Sequence, residues 1–141
     1  MAYDQHWAGG QPGPIASAAW VEEVINYAVS AIEPRKIVLG VPAFGYDWPL
    51  DGGRAKSVVH DDVAQRSQSG HIPIEWDKPS SSPFFTYTEG GTERIVWFEN
   101  SRSLKAKIAL AAKYGLGGIV FWRLGREDKD IFRLIQPASS S

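Results

Sequence analysis

A chain of 141 residues, 43% apolar and 22% charged, has the composition of a globular domain and the length to bury a core. A net charge of −1 without a basic block offers nucleic acid and anionic membranes little to bind, and no run reaches the roughly 18 apolar residues of a membrane span. Cysteine is absent, which excludes disulfides and thiol chemistry, and His6, His60 and His71 are too scattered to suggest a metal site.

In chain order, the first predicted element is a strand over residues 1–7, Met1-Ala2-Tyr3-Asp4-Gln5-His6-Trp7. Residues 8–16 are rich in Gly and Pro and read as a loop. Ser17 is a plausible N-cap for a helix in which Trp20, Val21, Val24, Ile25, Ala28, Val29 and Ile32 keep helical spacing. Pro34 ends that helix, and a strand over residues 37–44 follows. Strand, helix, strand in this order is a βαβ unit, so the two strands should be parallel.

Residues 49–100 change rhythm. The Gly52-Gly53 loop leads to a polar helix around Asp61–Gln68 and a short strand at Ile72–Trp76. Phe84–Thr88 and Glu93–Phe98 alternate around Gly90-Gly91 and read as an antiparallel hairpin. Both glycine pairs are turn glycines. Neither opens a helix after a buried strand, so no phosphate loop and no cofactor are expected. The parallel pattern then returns. Ser101 or Ser103 caps a helix with Leu104, Ile108, Ala111 and Ala112 inward and Gly115 after its end. A strand at 117–122 and a last helix near 128–135, stopped by Pro137, complete the chain. The expected divisions are 1–48, a βαβ unit; 49–100, an inserted α+β subdomain; 101–137, helix, strand and last helix; and 138–141, a disordered tail.

In parallel α/β proteins the residues just past the buried apolar run face the ligand. That rule selects Tyr3, Asp4, Tyr46, Trp48 and Trp122, and Asp47 follows the same strand as a further candidate for the cleft wall. The chain holds six Trp among 12% aromatics, several beside Gly and Asp in loops. A flat indole stacks well on the apolar C–H face of a sugar ring. Core packing is the competing use of every such ring.

Four segments carry a family resemblance. Met1-Ala2-Tyr3-Asp4 resembles the M-x-Y-D motif on the sixth barrel strand of glycoside hydrolase family 18, the chitinase-like enzymes. Gly40-Val41-Pro42-Ala43-Phe44-Gly45 resembles the seventh strand, and Gly117-Gly118-Ile119-Val120-Phe121-Trp122 the eighth. Trp97-Phe98-Glu99-Asn100, with Ser103 and Lys107, is similar to the end of the family's inserted subdomain. The wording of residues 3–17 and 40–48 is most similar to the bacterial spore-type branch of cortex-lytic N-acetylglucosaminidases and sporulation-specific glycosylases.

The resemblance implies an α/β fold: the C-terminal portion, strands 6–8, of a TIM (β/α)8 barrel with a small inserted α+β subdomain. It implies hydrolysis of β-1,4-linked N-acetylglucosamine polymers, peptidoglycan or chitin, in which the substrate's own acetyl group attacks the anomeric carbon. Tyr3 would donate to that acetyl group, Asp4 would bond the sugar or a neighbouring acid, and Trp122 would be the floor. Tyr46, Trp48 and Glu99 would add substrate contacts, although a helix-start acid is the competing reading of Glu99. The family's D-x-x-D-x-D-x-E motif, which carries the general acid, does not occur in residues 1–141. A non-catalytic, lectin-like glycan binder and a structural barrel fragment therefore stand beside the enzyme reading. The expected location of the whole protein is extracellular, in cell wall or spore. The expected protein partner is a missing barrel half, or a homo-oligomer through open sheet edges.

Overall fold

A computed structural model of the chain describes residues 1–135. Helix α1, Ala18–Ala31, starts where Ser17 Oγ accepts the N–H of Trp20 at 3.4 Å. Val21 and Ile25, one turn apart, are fully buried. Pro34 opens a 3₁₀ turn, Pro34–Lys36, and strand β1, Val38–Pro42, follows. β1 pairs in parallel with strand β7, Gly118–Trp122, with Leu39 opposite Ile119 and Pro42 opposite Trp122.

The strand expected over residues 1–7 is not formed as such. Its start runs beside β1, where the Ala2 N–H donates to Gly40 O at 2.7 Å. Asp4 then has φ 59°, which turns the chain out of extension. Gly40 permits the approach: a Cβ there would stand 3.2 Å from the Met1 Cα.

The two-stranded sheet has unequal faces. Leu39 and Val41 join Ala2, Val21, Ile25, Leu104, Ala111 and Ile131 in the main core, with Ile119 and Phe121 packed against it. On the opposite face Val38, Val120 and Trp122 are 56%, 48% and 52% exposed. Parallel sheets are ordinarily covered on both faces, so this bare apolar face is unusual.

The second sheet is antiparallel, in the order β3-β2-β6-β5-β4. Its strands are β2 Gly45–Pro49, β3 Lys56–Val58, β4 Glu75–Asp77, β5 Ser82–Glu89 and β6 Thr92–Phe98. The expected division at 48/49 therefore runs through β2, and the second sheet begins at Gly45. A Cβ on Gly45 would stand 2.5 Å from the Trp97 carbonyl oxygen, so the two backbones can meet only through glycine. β5 and β6 form the expected hairpin. Gly90 and Gly91 both have positive φ, as a two-residue primed turn requires. The strand expected at 72–76 lies later, at β4. Ile72 exchanges bonds with Ser67 at the end of helix α2, His60–Gly70, and is not free to pair. Val63 of α2 packs on Val58, Phe85, Val96 and Phe98.

Helix α3 spans Ser101–Lys113 and is capped by Asn100, not by Ser101 or Ser103. Asn100 Oδ1 accepts the Ser103 N–H at 3.0 Å and Ser103 Oγ accepts the Asn100 N–H at 3.0 Å, a reciprocal capping box. Gly115, at φ 63°, follows the helix end. The last helix is reduced to a 3₁₀ turn, Lys129–Arg133. Asp128 accepts the Asp130 N–H at 3.0 Å and the Ser101 N–H at 2.8 Å, so one carboxylate ties this turn to the start of α3. Although burial opposes it, these backbone bonds hold the Asp128 carboxyl below the usual aspartate range. Pro137 and the tail 138–141 lie outside the described residues.

Candidate active site

β1 and β7 run out side by side at Pro42 and Trp122, and β2 begins three residues past β1. A cavity of about 300 Å³ opens there, lined by Tyr3, Asp4, Phe44, Tyr46, Ser57, Trp122, Arg123 and Arg126. Four of the residues selected by the strand-end rule, Tyr3, Asp4, Tyr46 and Trp122, thus come from three separate segments into one space.

Their geometry is that of a polar pair on an aromatic wall. Tyr3 meets Phe44 edge-on at 6.0 Å between ring centroids, and Phe44 meets Tyr46 at 5.3 Å. The Tyr46 hydroxyl donates to Asp4 Oδ1 at 3.0 Å. Burial pushes the Tyr46 phenol up to about 12, and the bond to Asp4 and its charge add to the effect. Burial, then the Asp4 charge, raises Tyr3 as well. Both phenols therefore stay protonated donors at neutral pH. Asp4 keeps its left-handed φ without glycine, a conformation that aspartate tolerates better than most residues. About half of the Trp122 surface is open to solvent and able to take a flat ligand.

Three expected residues do not join them. Trp48 is 1% exposed and packs with Ile15, Phe44 and Ala55, edge-on to Tyr46. It therefore has no surface to offer a sugar. Asp47, between Tyr46 and Trp48, faces the other side of β2, as strand alternation demands. There it holds Arg94 Nε at 2.9 Å, Arg66 Nη1 at 2.7 Å and the Tyr87 hydroxyl at 2.7 Å. Glu99 is also removed from the cavity. Its Oε2 accepts from Lys107 Nζ at 2.9 Å and from Ser103 Oγ at 2.6 Å, and the Glu99 and Lys107 side chains are both 0% exposed. Burial pushes the Glu99 carboxyl up, against the pull of Lys107 and Ser103.

Phe44, Ser57, Arg123 and Arg126 line the cavity without having been singled out. Arg123 directly follows Trp122, so the strand-end rule extended by one residue would have found it. Ser57 and Arg126 have no local signal, because β3 and the loop after β7 meet only in the fold: Arg126 Nη1 reaches Ser57 Oγ at 3.4 Å. Among the described residues no group of three His, Cys, Asp or Glu side chains could hold a metal ion.

A mixed α/β protein with an aromatic, hydroxyl-bearing cavity at the carboxyl ends of parallel strands is the class this arrangement defines. The sequence matches the profile of the glycosyl hydrolases family 18 over residues 1–127, and the chain belongs to that family. It is similar to the cortical fragment-lytic enzyme of Bacillus anthracis, 36% identical over 140 residues, which cover 96% of this chain and 33% of that protein. The fold is similar to the crystal structure of the Bacillus cereus spore cortex-lytic enzyme SleL, with a TM-score of 0.90 and 34% identity over 95% of this chain and 32% of that one. A chitinase from Chromobacterium violaceum superposes with a TM-score of 0.89 and 33% identity over 97% of this chain and 45% of that one. The chain thus spans about a third of the length of the curated relatives it matches.

Proposed function

We propose that this chain is the C-terminal portion of a (β/α)8 barrel, strands six to eight with an inserted α+β subdomain, of an enzyme that cleaves β-1,4-linked N-acetylglucosamine polymers. The observation that carries the reading is the meeting of Tyr3, Asp4, Tyr46 and Trp122 in one cavity, with Tyr46 bonded to Asp4. The bare face of Val38, Val120 and Trp122 supports the barrel part of it, since an inner barrel face is filled only when the remaining strands close around it.

In this reading the substrate's acetyl oxygen attacks the anomeric carbon as the glycosidic C–O bond breaks, the general acid protonates the departing oxygen, and water then opens the cyclic intermediate. The attack needs the acetyl oxygen held in line with that carbon, and the Tyr3 hydroxyl, donating to the acetyl group, orients it there. Asp4, positioned by Tyr46, accepts from the acetamide N–H or shares a proton with a neighbouring acid. Trp122 supplies the apolar floor. The general acid belongs to a D-x-x-D-x-D-x-E segment outside residues 1–141. The relatives' names point to spore cortex and to chitin as the substrates, and an extracellular, cell-wall or spore location suits an enzyme acting on either.

Replacing the floor tests the site. In the full-length protein Trp122→Ala should raise the Kd for chito-oligosaccharides and lower kcat/KM together, by about tenfold, because the ring supports ground and transition states alike. Unchanged values for both would remove Trp122 from the site. Binding of the oligosaccharide without any hydrolysis would favour the lectin-like alternative.

A further inference from the structure

Beyond Trp122 the cavity wall is a loop, residues 123–128, and the inserted subdomain grips that loop at several points. The Ala43 N–H donates to Trp122 O at 2.6 Å and fixes the end of β7. Past it, the His60 N–H donates to Arg126 O at 3.2 Å, and Arg126 Nη1 reaches Ser57 Oγ at 3.4 Å. The Asp128 carboxylate accepts the Ser101 N–H at 2.8 Å, at the start of α3. Val59 and Asp61 face Gly125, Arg126 and Lys129 across a gap of only about 50 Å³. All these contacts are made within the chain, so segments outside residues 1–141 are not needed to form them.

Histidine is the side chain that changes charge between about pH 5 and 8, and His60 lies in this seam. Its Nε2 is 3.7 Å from Asp128 Oδ2 and its Nδ1 is 3.9 Å from Asp61 Oδ1. Both separations are too long for hydrogen bonds, so the attraction is Coulombic and needs the imidazolium. Asp128 is the less screened partner, its side chain 12% exposed against 70% for Asp61. Although burial opposes it, the backbone bonds to Asp128 hold its carboxyl below the usual aspartate range, so it stays ionised wherever a histidine titrates. The remaining charged groups of the seam have partners: Lys129 Nζ is 3.8 Å from Asp61 Oδ2, Arg126 holds Ser57, and Glu127 Oε2 accepts the Arg126 N–H at 2.9 Å. On its remaining side the ring meets Phe98, 6.5 Å away between centroids.

We propose that His60 is a positioning residue for the glycan cavity: its imidazolium, set between Asp128 and Asp61, draws the loop 123–128 onto the inserted subdomain and so sets the wall that Arg123 and Arg126 present beside Trp122. The inference rests on the reading of the cavity as a glycan site. Protonation of His60 and docking of the loop favour each other, so glycan affinity gains from this contact as pH falls from about 8 to about 5.

The test uses the full-length protein as wild type, His60→Gln and His60→Lys. The His60 backbone bond to Arg126 survives both substitutions, so the side chain alone is tested. Calorimetry with an N-acetylglucosamine tetrasaccharide at about pH 5.5 and about pH 7.5 gives a ratio of the two Kd values for each protein. Lowering the pH should tighten binding about twofold to fivefold more in wild type than in His60→Gln, as a partly exposed ion pair provides. His60→Lys, charged at both pH values, should bind at the higher pH about as well as wild type does at the lower, and lose that difference. Hydrogen exchange of residues 123–128, compared between proteins at the same pH, reads the anchor without any ligand. At about pH 5.5 the loop should exchange about twofold to fivefold faster in His60→Gln than in wild type, and the difference should shrink at about pH 7.5. The same pH dependence of Kd in wild type and His60→Gln, or equal exchange of the loop in both, overturns the proposal while leaving the glycan site standing. Absence of tetrasaccharide binding in all three proteins removes the glycan reading, and the exchange result then decides the anchor alone.

Discussion

In the full-length protein, Tyr3→Phe is expected to lower kcat on chito-oligosaccharides by about 10² with little change in substrate affinity. The substitution removes one hydroxyl and leaves the ring that meets Phe44 edge-on at 6.0 Å. The hydroxyl holds the acetyl oxygen in line with the anomeric carbon, and losing that alignment costs about 10² in kcat. Because Tyr3 stays protonated well above neutral pH, the loss should be the same from about pH 6 to 8. Kinetics with a separately measured Kd check it. A loss confined to Kd, or a fall below about threefold, would make Tyr3 a packing residue.

The second large effect is on stability. Lys107→Met should destabilise the protein by about 3–5 kcal/mol, because it leaves the wholly buried Glu99 without its cation. Ser103 alone remains to satisfy the carboxylate. The double variant Lys107→Met with Glu99→Gln should recover most of that loss, since no buried charge is then left unpaired. Urea denaturation of the full-length variants gives both numbers. Equal losses in the single and double variants would show that methylene packing, rather than charge, is what Lys107 contributes. The pair sits at the start of α3, where the second sheet hands the chain back to the first. It joins the two layers without touching the cavity.

Much of this arrangement is legible in the residues, and the exceptions have physical causes. Ser17, the helical spacing from Trp20 to Ile32 and Pro34 together specify α1 because each signal is local. The Gly90-Gly91 hairpin is equally local. Residues 1–7 carry a strand's composition, yet the backbone turns at Asp4, and nothing in the side chains announces a positive φ at an aspartate. The strand-end rule collects Tyr3, Asp4, Tyr46 and Trp122 correctly into one region but cannot tell which face of β2 a residue takes. Asp47 goes to a pair of arginines for that reason, whereas Trp48 shares the face of Tyr46 and is covered by Ile15, Phe44 and Ala55. Glu99 reads as a substrate contact or a helix-start acid until Lys107, eight positions on, is seen to cover it. Arg126 and Ser57 are 69 positions apart and meet only through the fold.

Hydrolysis of chito-oligosaccharides and spore cortex fragments, by residues 1–141 alone and by the full-length protein, tests the central claim most directly. The account expects the full-length protein to cleave at least one of them and the 141-residue chain to cleave neither, since a positioned general acid contributes about 10²–10⁴-fold and its motif lies outside these residues. Turnover by the chain alone that disappears on Asp4→Asn would contradict the account, because the site would then be complete within these residues. A full-length protein with an intact D-x-x-D-x-D-x-E segment that leaves both substrates untouched would contradict it as well.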